Sequence, residues 1–111
     1  MMTSAYTSKV QQLNDAFRKT LTGGKVCYTA GVSALGESFV TRALALVRSF
    51  DAFSMENDPY GEHDFGSVTI DEAKLFWKID YYDLSLQFGS NDPSDPAQTS
   101  RVITIMLAEE Y

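Results

Sequence analysis

The alternating pattern from Lys74 to Tyr82 is compatible with little other than a long β-strand, because side chains two apart point to the same face of a strand. One face of this predicted strand is apolar or aromatic throughout: Leu75, Trp77, Ile79 and Tyr81. The other face mixes aromatic and charged residues, and we expect it to be partly exposed: Phe76, Lys78, Asp80 and Tyr82. The chain must therefore supply further strands beside this one and an apolar layer to cover its inner face.

Shorter patterns supply candidates for the neighbouring strands. Val68 and Ile70 alternate just before the long strand, and residues 71–73 can turn, so the two segments predict a hairpin. Residues 25–29 read as another short strand. Leu86 and Phe88 suggest one more, after a turn at residues 83–85.

Helical spacing appears in three places. A first helix is predicted over residues 8–21, capped by Thr7 or Ser8 and ended by two glycines at 23–24. A second helix is predicted over residues 37–50, with a wide apolar arc. Asp95 followed by Pro96 resembles a helix start, which predicts a last helix reaching about Glu110.

These elements predict an α+β fold in one domain of 111 residues. Three helices would pack on a small, mainly antiparallel sheet of three to four strands.

Composition excludes several classes of protein. The hydrophobic fraction of 44% is enough for a core and too high for a disordered chain. Cys27 is the only cysteine, which excludes an internal disulfide and a multi-cysteine zinc site. No apolar run approaches the roughly 20 residues of a membrane span, and the N-terminus lacks the apolar stretch of a signal peptide. We therefore expect a cytoplasmic protein without membrane contact.

The formal net charge of −6 is unevenly distributed. Residues 1–50 carry six Lys and Arg against two acids, whereas residues 51–95 carry eleven acids against two lysines. The two halves could neutralise each other, leaving the surplus acid as a solvated surface. Alternatively, the acids form a focused negative face for a basic partner. Direct nucleic-acid binding is disfavoured, because neutralising phosphates needs a basic surface.

The longest irregular connection, residues 51–67, contains the single histidine, His63. His63 with nearby carboxylates could form a metal site of nitrogen and oxygen ligands, or an acid–base pair oriented by a carboxylate. It could equally satisfy polar groups of the loop and tie the loop to the sheet. We assign no catalytic residue, no metal ligand and no cofactor. The candidate binding residues are the acids, tyrosines and histidine of this region: Asp58, Tyr60, Glu62, His63, Asp64, Asp80, Tyr82 and Asp83.

Three segments in order carry a family resemblance: NDPYGEHDFG at 57–66, FWKIDYYD at 76–83 and RVITIMLAEEY at 101–111. Together they resemble the bacterial domain-of-unknown-function family 3768. The resemblance implies no activity, substrate or catalytic residue. It implies a genomic setting rich in plasmids and phages.

The functional hypothesis is a small acidic, non-enzymatic binding protein. It would dock on a basic surface of nucleic-acid-handling machinery, as an inhibitor of the anti-CRISPR or anti-restriction type that imitates nucleic acid. One alternative is a metal-dependent or acid–base enzyme centred on His63. Another is a structural accessory protein that forms a homo-oligomer, which would expose an apolar patch. The oligomeric state is left open.

Overall fold

The structure is a computed structural model that describes residues 4–111. Its elements in chain order are α1 (Ala5–Thr20), β1 (Lys25–Tyr28), α2 (Ala30–Ser33), α3 (Glu37–Ser49), β2 (Phe65–Ile70), β3 (Ala73–Tyr82), β4 (Ser100–Leu107) and a 3₁₀ turn (Ala108–Glu110). The strands form one sheet in the order β1-β4-β3-β2. The α+β fold with three helices and a four-stranded sheet is confirmed.

The sheet is mixed because β4 pairs in parallel with one neighbour and antiparallel with the other. β3 is antiparallel to both β2 and β4, whereas β1 runs parallel to β4. The predicted strand from Lys74 to Tyr82 is confirmed as the greater part of β3, with its predicted inner face turned to the core. Trp77 and Leu75 on that face are completely buried.

The predicted last helix is wrong: the segment forms β4, a central strand. Residues 102–105 read Val-Ile-Thr-Ile, and β-branched side chains favour strands over helices. β4 has neighbours on both edges, and Ile103, Ile105 and Met106 are buried. A central strand reads as a nearly continuous apolar run, which periodicity alone cannot distinguish from a buried helix. The third helix is instead the short α2.

Two smaller predictions also need correction. Residues 84–88 form a loop, joined to the sheet by an isolated bridge between Tyr82 and Gly89, and Leu86 and Phe88 are exposed. α1 begins one turn earlier than predicted, because the Ser4 hydroxyl accepts a hydrogen bond from the Thr7 backbone N–H and caps the helix.

The helices cover one face of the sheet. Phe17 of α1, Val32 of α2 and Val47 of α3 pack with the inner residues of β3 and β4 in one core. Trp77 lies so close to β2 that a Cβ at Gly66 would lie 2.5 Å from the Trp77 Nε1 atom. No helix within residues 4–111 is both long and apolar enough to cross a membrane.

Candidate functional site

The candidate site lies where residues 58–64, here called the acidic loop, fold against α1. Two side chains of α1 hold the loop backbone: Gln11 Nε2 donates to the Gly61 carbonyl at 2.8 Å, and Asn14 Nδ2 donates to the Glu62 carbonyl at 3.0 Å. Gly61 and His63 have positive φ angles of 72° and 57°. These left-handed residues turn the chain sharply, which lets neighbouring side chains converge instead of alternating.

His63 lies between two carboxylates. Its Nδ1 atom is 2.9 Å from Asp15 Oδ1, and its Nε2 atom is 3.7 Å from Asp58 Oδ2. The buried Asp58 carboxylate also accepts the His63 backbone N–H at 3.3 Å. The imidazole stacks on Phe53, with ring centroids 3.7 Å apart and an angle of 3° between the planes.

This geometry is that of a loop anchor. His63 is held by the hydrogen bond at ring Nδ1, by the stacking of its ring face on Phe53 and by its backbone N–H. The Nδ1 contact with Asp15 connects the residue to α1. Within the described chain, no Ser, Cys or Lys side chain forms a hydrogen bond with His63. Residues 4–111 contain no group of three or more His, Cys, Asp or Glu side chains arranged to hold a metal ion.

A second constellation continues from the acidic loop into the core. Asn14, completely buried, donates to the Tyr81 hydroxyl at 2.8 Å and accepts from Arg101 Nε at 2.7 Å. The Tyr81 hydroxyl donates in turn to Glu62 Oε1 at 2.8 Å. Burial raises the pKa of Tyr81 above its ordinary value, and burial lowers the pKa of Arg101. These groups join α1, β3, β4 and the acidic loop.

Sequence reasoning missed Asn14, Asp15 and Arg101. A signal existed for two of them: Asn14 stands one residue after Leu13 within the apolar stripe of α1, and Arg101 precedes an apolar run. A polar residue at an inward-facing position must find buried partners, which marks it as part of a network. Asp15 carried no signal of this kind.

Asp64 is half-buried among like charges. Burial raises the pKa of its carboxyl group above the ordinary value, and the nearby negative charges of Glu62, Asp58 and Asp80 raise it further. Neither Glu62 nor Asp64 forms an ion pair with another described residue. Asp58 lies near the His63 imidazole and the charge of Glu62 acts on Arg101, so Asp64 is the acid of the loop on which no described cation acts.

Replacing Asp64 with asparagine should raise the free energy of unfolding at pH 7, by about 0.2–0.5 kcal/mol for each like-charge contact removed. Because the folded-state pKa is raised, the ionised carboxylate destabilises the fold above that pKa, and the penalty disappears as pH falls below the ordinary value of 3.8. Urea unfolding of both proteins should therefore differ at pH 7 and converge toward about pH 4.

The matched control for this prediction is Asp83→Asn. The pKa of Asp83 is lowered by the hydroxyl of Ser85 and the backbone N–H groups of Gln87 and Phe88, so its ionised form stabilises the fold. Its substitution should reduce stability at pH 7. An Asp64→Asn variant less stable than the parent at pH 7 would contradict the conclusion that the ionised Asp64 carboxylate destabilises the fold.

The structure brings four of the eight predicted site residues together: Asp58, Glu62, His63 and Asp64. Tyr60 is in the same loop and is 80% exposed. Asp80 and Tyr82 lie on the opposite face of β3 from Tyr81, and Asp80 pairs with Lys78 at 3.1 Å. Asp83 caps the following loop by accepting hydrogen bonds from residues 85, 87 and 88.

Three of the remaining acids of residues 51–95 make contacts of their own outside the acidic loop. Asp71 pairs with Arg42 of α3 at 2.6 Å, at the far end of β2 from the acidic loop. Asp92 and Asp95 hold their own loop through hydrogen bonds to Ser94 and Ala97. Asp51, Glu56 and Glu72 are exposed and form no ion pair with a described residue, so the acidic loop is one part of the charge available to a partner.

Comparison with known proteins gives a family. The family model described as "Protein of unknown function (DUF3768)" matches residues 28–110. No curated protein and no solved structure matches the chain. The match runs from the last residue of β1 to the 3₁₀ turn, including the acidic loop and Arg101. Because it covers most of the chain, this protein belongs to the DUF3768 family.

Proposed function

We propose that this protein is a small, non-enzymatic binding protein that docks through its acidic loop on a basic surface of another protein. The observation that carries the proposal is Asp64, a half-buried carboxylate beside Glu62 and further acids, without an ion-pair partner in residues 4–111. Such an arrangement reduces the stability of the free protein. A cation supplied by a partner would remove the penalty, so the strain favours association.

Tyr60 is the proposed anchor. Its side chain is 80% exposed and stands between Asp58 and Glu62 in the chain. Tyrosine is enriched at the centre of protein interfaces, because it combines a large contact area with a polar hydroxyl group. The hydrogen bonds from Gln11 and Asn14 hold the loop backbone before binding, which reduces the entropy lost on docking.

The proposed partner class is protein machinery that handles nucleic acid. Surfaces that bind phosphates are rich in Lys and Arg, so they are natural targets for a small protein of net charge −6. Such a protein could occupy the nucleic-acid path and block it, as an inhibitor of the anti-CRISPR or anti-restriction type. Both molecules would then meet in the cytoplasm. Direct binding to nucleic acid is not proposed, because the charges have the same sign.

The experiment is a pull-down with the tagged protein from nuclease-treated host lysate, followed by elution with rising salt and mass spectrometry. The identified partner is then purified, and its affinity is measured at two ionic strengths, about 0.05 M and 0.3 M. We expect binding to weaken at the higher salt. The double variant Glu62→Gln/Asp64→Asn should weaken binding about tenfold or more, and Tyr60→Ala by a similar factor.

The matched control is Glu72→Gln/Glu109→Gln. It removes the same number of charges from exposed positions in the β2–β3 turn and the 3₁₀ turn, away from the acidic loop. Its affinity should stay within about twofold of the parent. An equal loss of affinity in both double variants would mean that net charge alone drives binding. Failure to capture any partner whose binding weakens with salt would refute the proposal.

One observation favours a second candidate, an acid–base enzyme centred on His63. The Asp15 carboxylate at His63 Nδ1 has the geometry of a group that orients a catalytic imidazole. His63→Asn separates the two functions, because the asparagine amide can still donate to Asp15. It should leave partner binding nearly unchanged and would abolish any activity that depends on the imidazole.

A further inference from the structure

A cavity of about 410 Å³ lies between the second half of α1 and residues 96–101. It is separate from the exposed surface of the acidic loop. Apolar side chains form most of its wall, from Leu13, Ala16 and Phe17 of α1 and from Pro96. Arg101 also lines the cavity. Its volume is in the range of sites that bind small organic molecules.

Arg101 is the unusual group in this wall. The residue is only 5% exposed, yet it forms no ion pair with any described carboxylate. Nε donates to Asn14 Oδ1 at 2.7 Å and one terminal nitrogen, Nη2, donates to the Pro93 carbonyl at 2.5 Å. Burial lowers the pKa of Arg101, although the negative charge of Glu62 acts in the opposite direction and the guanidinium carbon lies 5.1 Å from the centroid of the Tyr81 ring.

The second terminal nitrogen, Nη1, has no hydrogen-bond partner among residues 4–111. It is not sealed from solvent, since the fully buried side-chain nitrogen without a partner in that part of the chain is Trp77 Nε1. Nη1 therefore keeps contact with space that a ligand or water can enter. Arg101 is one of the residues that line the cavity.

We propose that this cavity binds a small organic carboxylate with an apolar body. The carboxylate would pair with Arg101, whose planar guanidinium suits that group, and the body would pack on Leu13, Phe17 and Pro96. The hydroxyls of Thr20 and Thr99 already donate to the carbonyls of Ala16 and Asp92. The wall therefore offers one cationic group and few other donors, which favours a monocarboxylate over a phosphate ester or a sugar acid.

The test is a titration of the isotope-labelled full chain with octanoate, followed by amide and Arg Nε–H chemical shifts. We expect saturable shifts at residues 16–23 and at Arg101. Octanol and octylammonium have the same apolar body without the anion, and they should bind about tenfold more weakly or worse. Inorganic phosphate should cause no saturable shift at these residues.

Two variants make the result specific. Ala16→Leu fills the cavity without changing Arg101 and should reduce octanoate binding about tenfold. Ala45→Leu makes the same substitution at an exposed position of α3 and should leave the affinity unchanged. The proposal is overturned if octanoate causes no saturable shift, if octanol binds equally well, or if the shifts lie outside the cavity. The proposal goes beyond the docking function. Octanoate binding in the cavity and partner binding through the acidic loop are measured separately, and neither outcome depends on the other.

Discussion

Replacing Arg18 with alanine is expected to lower the free energy of unfolding by about 3–5 kcal/mol, the usual loss when one member of a buried charged pair is removed. Arg18 is 1% exposed. Its guanidinium donates to Asp15 Oδ1 at 3.0 Å, to the Val47 carbonyl at 3.1 Å and to the Phe50 carbonyl at 2.9 Å. The substitution leaves these acceptors without their donor and opens a void in the core.

The loss should extend to the acidic loop. Arg18 lies 5.3 Å from the ring centroids of both Phe53 and Trp77, and Asp15, its ion-pair partner, also holds His63. The measurement is urea unfolding of the parent, Arg18→Ala and Lys19→Ala. Lys19 is the exposed neighbour, so its substitution should change the free energy of unfolding by less than about 0.5 kcal/mol. A loss below about 1 kcal/mol for Arg18→Ala would refute the role described for this residue.

Replacing Asn14 with leucine should lower the free energy of unfolding by about 2–4 kcal/mol, because several buried partners lose one hydrogen bond each. Asn14 is completely buried and is bonded to Arg101 Nε, the Tyr81 hydroxyl and the Glu62 carbonyl. Leucine is similar in size, so the loss would come from unsatisfied polar groups and not from a cavity.

The control for this prediction is Gln11→Leu, one turn earlier in α1. Among residues 4–111, the Gln11 side chain makes a single hydrogen bond, to the Gly61 carbonyl, and Gln11 is partly exposed. Its substitution should cost about 0.5–1.5 kcal/mol. Equal losses for the two variants, measured by thermal and urea unfolding, would mean that the network through Asn14 adds nothing to a single loop contact.

These networks also change the interpretation of the charge distribution. Arg18 is internal, Arg101 is internal, and Arg42 pairs with Asp71 across the α3–β2 contact. Arg18 and Arg42, two of the six basic residues of positions 1–50, therefore form contacts within the fold, as does Arg101 near the C-terminal end of the chain. The proposed docking function depends on the acids of the acidic loop, chiefly Asp64 and Glu62.

Strong local patterns were sufficient for much of the fold. The alternation in β3, the turn before it and the apolar stripes of α1 and α3 were predicted from sequence, because each depends on neighbours close in the chain. The α+β class follows from these elements. The irregular connection predicted at 51–67 was also recognised, since turn residues and aromatics identify a connection that is held in place, although its last three residues belong to β2.

Tertiary structure alone decided the identity of β4 and the partners of the buried polar groups. An apolar run such as residues 102–107 suits a core helix or a central strand, and pairing with β1 and β3 decides between them. Asn14 and Arg101 are 87 residues apart in the chain. Their contact exists only when α1 lies across the sheet, because a hydrogen bond between distant residues has no periodicity that the sequence could display.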